Sequence, residues 1–367
     1  MRDMVEKAAG RGRMEMNMKI GIVTVHDSAN YGSFLQGYAL YHILESWGHE
    51  VYFIRSREKE FVKQIFCPKI SKKKLLKHPL KSWKAHCQGK EKYVNFQKEL
   101  EEFRVLEHWN DVKLDKIILG SDEIWNVKTP TFRREIFYGI GMENVTTYAV
   151  SAGAATLKQL QEYPVLVEGI KKIDNILVRD INTQKIVEQI TGISPKMVCD
   201  PTFLLPVSAY VSADPTAIME QNQKYILIYS YHIQEHLKNN IIKFAKENNL
   251  KMVAACMNHD WCDEFVNGSP LKFCEILRDA EYVVTTTFHG TIFSFLNHKK
   301  FVAEPFSPKV NDVLEKVGLE EALIEENISY EAFKQALQNG NYDYTSVEEK
   351  ISDWRERSLK LLKDSLA

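Results

Sequence analysis

A repeated order of short β-branched run, polar or glycine-containing turn and helical pattern constrains this chain more than any other feature. Lys19 to Val25 (KIGIVTV) reads as a buried strand, HDSANYGS as a turn, and FLQGYALYHILESWG as a helix stopped by Gly48. Glu50 to Ile54 is the next strand. Strand, helix, strand in this order opens a parallel sheet, because parallel neighbours need a crossover connection. The alternation resumes at KIIL (116–119), which runs into Gly120-Ser121-Asp122. It continues at TTYAVS (146–151), NILVR (175–179) and MVC (197–199), which run into Ala152-Gly153, Asp180 and Asp200-Pro201. Proline and polar residues at 206–224 read as a linker. A second set follows, with strands at Tyr225 to Tyr231, Lys251 to Met257, Tyr282 to Phe288 and Phe301 to Ala303. A chain of 367 residues has room for two such units. The expected fold is therefore α/β, with one domain over 18–205, a second over 206–340 and an amphipathic helix over 345–367. That helix carries a capping-box pattern, Ser346-x-x-Glu349, and a face of Val347, Ile351, Trp354, Leu361 and Leu362.

The net charge of −1 offers no argument for a nucleic-acid partner. Charge is nevertheless uneven: residues 55–92 hold 13 Lys/Arg against three Glu, including Lys72, Lys73 and Lys74. A solvated helical insertion over about 55–110 accounts for this. Leu75, Leu76, Leu80 and Trp83 among the lysines also fit peripheral contact with anionic head groups at the inner face of a membrane. No run of about 18 apolar residues marks a transmembrane helix. The first 17 residues lack the apolar stretch of a signal peptide, and folding is expected to begin near Met18. None of the six cysteines sits in a CxxC pair, so free thiols in a reducing, cytoplasmic compartment are expected. His259, Asp260, Cys262 and Asp263 do not match a zinc spacing and read as a surface loop, so no metal site is expected.

Chemistry concentrates where strands end, because ligands of open α/β sheets bind at the carboxyl edge. In Phe288-His289-Gly290-Thr291 a strand feeds straight into a helix. The helix N-terminus suits a phosphate or carboxylate, and His289 can donate a proton there or merely cap the helix. In Gly120-Ser121-Asp122-Glu123-Ile124-Trp125, Asp122 is either a sugar-binding or basic carboxylate or the cap of a following helix. Trp125 reads first as core and second as a platform for a sugar face. Arg179 in Val178-Arg179-Asp180 either holds an anion through its planar fork or forms a structural ion pair with Asp180 or another acid. In Asn30-Tyr31-Gly32-Ser33, Gly32 permits close backbone approach and Asn30 or Ser33 can cap the helix. The segment matches neither dinucleotide nor P-loop patterns.

NYGSFLQ, GSDEIWN, YAVSAG, VRD, DPTFLL and TTTFHGTIFSFL occur in this order from about residue 20 to 320. The ordered set resembles the polysaccharide pyruvyl transferase family. The resemblance implies a GT-B-like architecture: two Rossmann-like domains facing across a cleft, acceptor side first and donor side second, with the C-terminal helix packing back on the first. It implies phosphoenolpyruvate as co-substrate with no further cofactor, and a pyruvate ketal on a sugar of a cell-surface glycan, lipid-linked or free, as product. Carried onto this sequence, His289 is the catalytic acid or donor ligand, and ketal formation, which needs a base for the sugar hydroxyls, makes Asp122 the expected acceptor-side base. Arg179, Lys309, Gly290 and Thr291 are expected on the donor, and Asn30, Tyr31, Gly32, Ser121 and Trp125 on the acceptor. Thr286-Thr287 stand where the family often has Asp-Ser, and Glu123 where it often has Gln, which leaves the acceptor open. Two rival readings remain: a nucleotide-sugar glycosyltransferase of GT-B type, and a non-catalytic glycan-binding protein.

Overall fold

Every strand pair among the described residues is parallel. The protein is seen here as a computed structural model that describes residues 17–70, 76–77, 79–210, 212, 223–304, 308–338, 340 and 342–367. The first domain runs β1 (Lys19–Val23), α1 (Tyr31–Ser46), β2 (Glu50–Ile54), α2 (Lys59–Phe66), α3 (Pro79–Leu100), β3 (Val105–Leu106), β4 (Lys116–Leu119) and β5 (Val145–Thr147). It continues through α4 (Leu157–Gln161), α5 (Pro164–Lys171), β6 (Leu177–Val178), α6 (Ile181–Thr191) and β7 (Lys196–Met197). The sheet order is β3-β2-β1-β4-β5, and bridges from Thr146 to Asn175 and Val150 to Val178 carry it on to the β6–β7 pair.

The second domain repeats the plan with β8 (Tyr225–Tyr229), α7 (Glu235–Glu247), β9 (Lys251–Ala255), β10 (Glu264–Val266), α8 (Pro270–Asp279), β11 (Tyr282–Thr285), α9 (Phe288–Leu296) and β12 (Lys300–Ala303). Its sheet order is β10-β9-β8-β11-β12. In both sheets the order reverses beside the first strand, at β1/β4 and β8/β11, and such switch points open a crevice at the strand ends. Helices α10 (Pro308–Val317), α11 (Tyr330–Gln338) and α12 (Tyr344–Leu366) complete the chain.

Helix α1 is buried on nearly every face, from Tyr31 to Leu44, because β2 covers one side and α8 and α9 of the second domain cover another. The Tyr31 hydroxyl donates to the Gly268 carbonyl of the second domain at 2.7 Å. Helix α12 returns to the first domain. The Cys199 amide donates to Ser358 Oγ at 2.9 Å, and Trp354 packs on Phe203. The expected capping box is corrected at its start: Asp343 caps α12 by accepting from the Ser346 amide at 3.2 Å, which puts Ser346 inside the first turn.

Lys72–Lys74 and Leu75 of the basic run, most of the expected linker, and the first 16 residues lie outside the described residues. Among the described part of the run, Leu76, Leu80 and Trp83 are 83, 82 and 68% exposed. The far end of α3 is not a solvated insertion. Lys92 and Phe96 are buried, and Lys92 Nζ donates to the Cys256 carbonyl at 3.2 Å while lying 4.5 Å from the Tyr31 ring centre. The Asn95 side chain donates to the Asn267 carbonyl across the same seam, the Asn267 side chain donates to the Gln88 carbonyl, and Lys81 meets Asp260. The His259–Asp263 loop thus docks a helix of the first domain. No helix among the described residues is long and apolar enough to cross a membrane.

Candidate active site

The strand ends of both sheets meet at one cleft. Asn30, Asp122, Glu123, Arg179, His289 and Lys309 line a cavity of about 450 Å³ there. The first four follow β1, β4 and β6 of the first domain; His289 opens α9 and Lys309 opens α10 of the second.

Local sequence explains the seating of His289. Thr287 caps α9 by accepting from the Gly290 amide at 3.0 Å, which stops β11 and starts the helix within two residues. A Cβ at Gly290 would lie 2.2 Å from Thr285 Oγ1, so the turn admits no side chain there. A Cβ at Gly32 would lie 1.9 Å from His289 Nδ1. The missing side chain on α1 is the space into which the imidazole of the other domain fits.

Asp200 is the electrostatic hub. It is 1% exposed and accepts from Arg179 Nη1 at 2.7 Å, the Thr202 amide at 3.0 Å and Thr202 Oγ1 at 2.8 Å. His289 Nε2 lies 3.7 Å from the same carboxylate oxygen. Burial pushes this carboxyl up, but His289, Arg179 and the Thr202 amide together outweigh burial and hold it well below the usual range. Burial likewise works against the Arg179 charge, and Asp200 with Asp122 more than offsets it. The guanidinium lies 5.2 Å over the Phe288 ring, and its Nε has no hydrogen-bond partner.

Asp122 sits at φ 77°, a left-handed conformation that aspartate tolerates and that turns its carboxylate into the cleft. It accepts from Ser33 Oγ at 2.6 Å and from the Glu123 amide at 2.8 Å, and lies 3.9 Å from Arg179 Nη2. Across the cleft Lys309 forms an ion pair with Glu123. Burial lowers its ammonium to about 8, against the attraction of Asp122. The cleft therefore holds cations, carboxylates and an imidazole within reach of one small molecule.

Several expected residues stand elsewhere. Trp125 is fully buried, stacked on Tyr138 with Nε1 donating to the Phe137 carbonyl at 2.8 Å, so no face is left for a sugar. Tyr31 is enclosed by Phe96, Tyr229 and Phe273 and belongs to the domain seam. Ser121 is fully buried, and its amide donates to Gln36 Oε1 at 3.1 Å. Thr291 is fully buried and spends its hydroxyl on the Thr287 carbonyl, while the Gly290 amide is taken by the cap. Gly32 acts by making room, and Asn30 both caps α1 and lines the cavity. Arg179 pairs with Asp200 rather than Asp180, which caps α6. Asp200 itself was missed as a site residue. Its signal was the Asp-Pro after β7, one more strand end.

The architecture is that of solved GT-B proteins. A UDP-N-acetylglucosamine 2-epimerase is similar over 96% of this chain and 95% of its own, at 9% identity and a TM-score of 0.53. The UDP-GlcNAc 2-epimerase from Neisseria meningitidis bound to UDP-GlcNAc is similar over 95% of this chain and 99% of its own, at 9% identity and a TM-score of 0.51. Likeness at this identity speaks to fold alone. Among curated proteins none matches the sequence. Residues 30–305, from the cap of α1 to just past β12, match the model of the family described as polysaccharide pyruvyl transferase. That span holds every cleft residue above except Lys309, and the chain belongs to the polysaccharide pyruvyl transferase family.

Proposed function

We propose that this protein transfers the pyruvyl group of phosphoenolpyruvate to two hydroxyls of a sugar in a cell-surface glycan, forming a ketal and releasing phosphate. The observation that carries the reading is the convergence of Arg179, His289 and Lys309 with Asp122 on one cleft of a member of this family. The donor is an anion at both ends, and a buried guanidinium and ammonium match its carboxylate and phosphate. The free Nε of Arg179 is the natural contact, since Nη1 is held by Asp200.

Protonation of the donor methylene carbon by His289 makes the neighbouring carbon oxocarbenium-like. One sugar hydroxyl bonds to that carbon and gives its proton to Asp122. The second hydroxyl bonds to the same carbon as the carbon–oxygen bond to phosphate breaks, and its proton restores His289 while Asp122 returns its own to the leaving phosphate. The two hydroxyl protons thus end on the new methyl group and on phosphate. Asp200, with a carboxylate oxygen 3.7 Å from Nε2, orients the imidazole for the first step.

The test is phosphate release from phosphoenolpyruvate with and without a panel of p-nitrophenyl and lipid-linked glycosides. Acceptor-dependent release by the wild type, lost in Arg179→Ala and His289→Ala, is expected. Binding of a nucleotide sugar with no binding of phosphoenolpyruvate would overturn the reading in favour of a glycosyltransferase.

A further inference from the structure

Beside the cleft lies a second cavity of about 410 Å³, within the range of about 300–1,000 Å³ usual for small-molecule sites. Arg179, Phe288 and Lys309 line both cavities, so the two adjoin. A reaction that joins two substrates needs such adjoining compartments.

We propose that this second cavity is the acceptor subsite and that it takes an uncharged pyranose ring; the inference rests on the transfer reaction proposed above. Its floor is apolar and aromatic, with Phe203, Phe288, Val313 and Trp354. Its rim carries Asp180 and Asp312. Aromatic faces pack against the C–H side of a sugar, and carboxylates accept from its hydroxyls. One buried polar atom of the lining that the donor does not use has no partner, Oδ2 of Asp180, whose Oδ1 is spent capping α6. The charges do not suit a second phosphate. Four carboxylates, Asp180, Asp200, Asp312 and Glu315, face three cations, Arg179, Lys309 and Lys316, two of which the donor already engages, so no surplus positive charge is left for another phosphate.

The position also separates the acceptor from the donor in the chain. Asp312, Val313 and Lys316 on α10 and Trp354 on α12 come after residue 305, where the family match stops. The donor cleft is built almost wholly within the matched span. Acceptor choice can therefore vary in α10 and α12 without disturbing the donor.

The experiment compares wild type with Trp354→Ala and Asp312→Asn, the latter on the exposed rim where folding is not at stake. Calorimetry measures phosphoenolpyruvate and a p-nitrophenyl hexopyranoside separately, and phosphate release gives the KM of each. Each variant is expected to weaken the glycoside by about tenfold and leave phosphoenolpyruvate binding within about twofold. Glycoside binding that neither variant changes, a loss confined to phosphoenolpyruvate, or a wild type that binds no glycoside would overturn the subsite. If phosphate is never released but glycoside binding is lost in both variants, the subsite stands and the reaction falls.

Discussion

At the bottom of the cleft a single carboxylate, Asp200, faces a guanidinium and an imidazole from two directions. Asp200→Ala leaves Arg179 buried without its main counter-charge and is expected to lower stability by about 3–5 kcal/mol in urea denaturation. The pH dependence has a definite sign. The folded state holds this carboxyl below its ordinary value, so its contribution is complete above about pH 4 and is lost as pH falls below that. The urea midpoint of the wild type is therefore expected to fall more steeply below about pH 4 than that of Asp200→Asn. Lys309 runs the other way in function: its ammonium, brought down to about 8, loses its charge as pH rises through that value. The KM for phosphoenolpyruvate is expected to climb above that pH in the wild type and stay flat in Lys309→Arg. In stability the same shift makes the charged form a burden below that value, relieved as pH rises towards the ordinary lysine range. Of these residues, Arg179 and His289 were legible because a strand end fixes where they stand. Asp200 was not, because its pairing depends on β6 and β7 lying side by side, which no local pattern encodes. Trp125 misled in the opposite way: a polar motif surrounds it, yet its ring fills the core between β4 and the turn at Phe137.

The central strands and the first long helix were legible from periodicity, whereas the short edge strands β3 and β10 were not and β11 stops at Thr285, three residues before the expected end at Phe288. Helix α3 was not legible in this way. Its lysines suggested a solvated face, but the contacts that matter are Lys92 and Phe96, one turn apart and hidden in a basic background. Lys92 ties α3 to the second domain through the carbonyl and thiol of Cys256 while its ammonium lies over the Tyr31 ring of its own domain. Lys92→Ala is expected to cost about 2 kcal/mol in chemical denaturation, more than a surface lysine would. An unchanged midpoint would mean that the other contacts of the seam, among them Asn95–Asn267, Tyr31–Gly268 and Lys81–Asp260, carry it without Lys92. The start of α12 shows a smaller failure of the same kind. Ser346 and Glu349 have the right spacing, but Asp343, three residues earlier, reaches the free amide first.

For the molecule as a whole, the two-sheet plan was visible in the alternation of runs, and the GT-B architecture followed from motifs that lie in order along both halves. How tightly the halves meet was not visible, because that depends on side chains from one entering the other. Gly32→Ala tests the fit. A methyl group there would occupy the place of the His289 ring, and the rate of phosphate release is expected to fall about 100-fold with little change in the midpoint of unfolding. Wild-type turnover in this variant would show that the imidazole works from another position.

The space left by Gly32 is shared property of both halves. His289 and Lys309 ride on one half of the molecule, and Asp200, Asp122 and Glu123 on the other. Parting the halves would separate His289 from Asp200 and Lys309 from Glu123 in one movement, so the cleft exists as a unit only while the two sides are together.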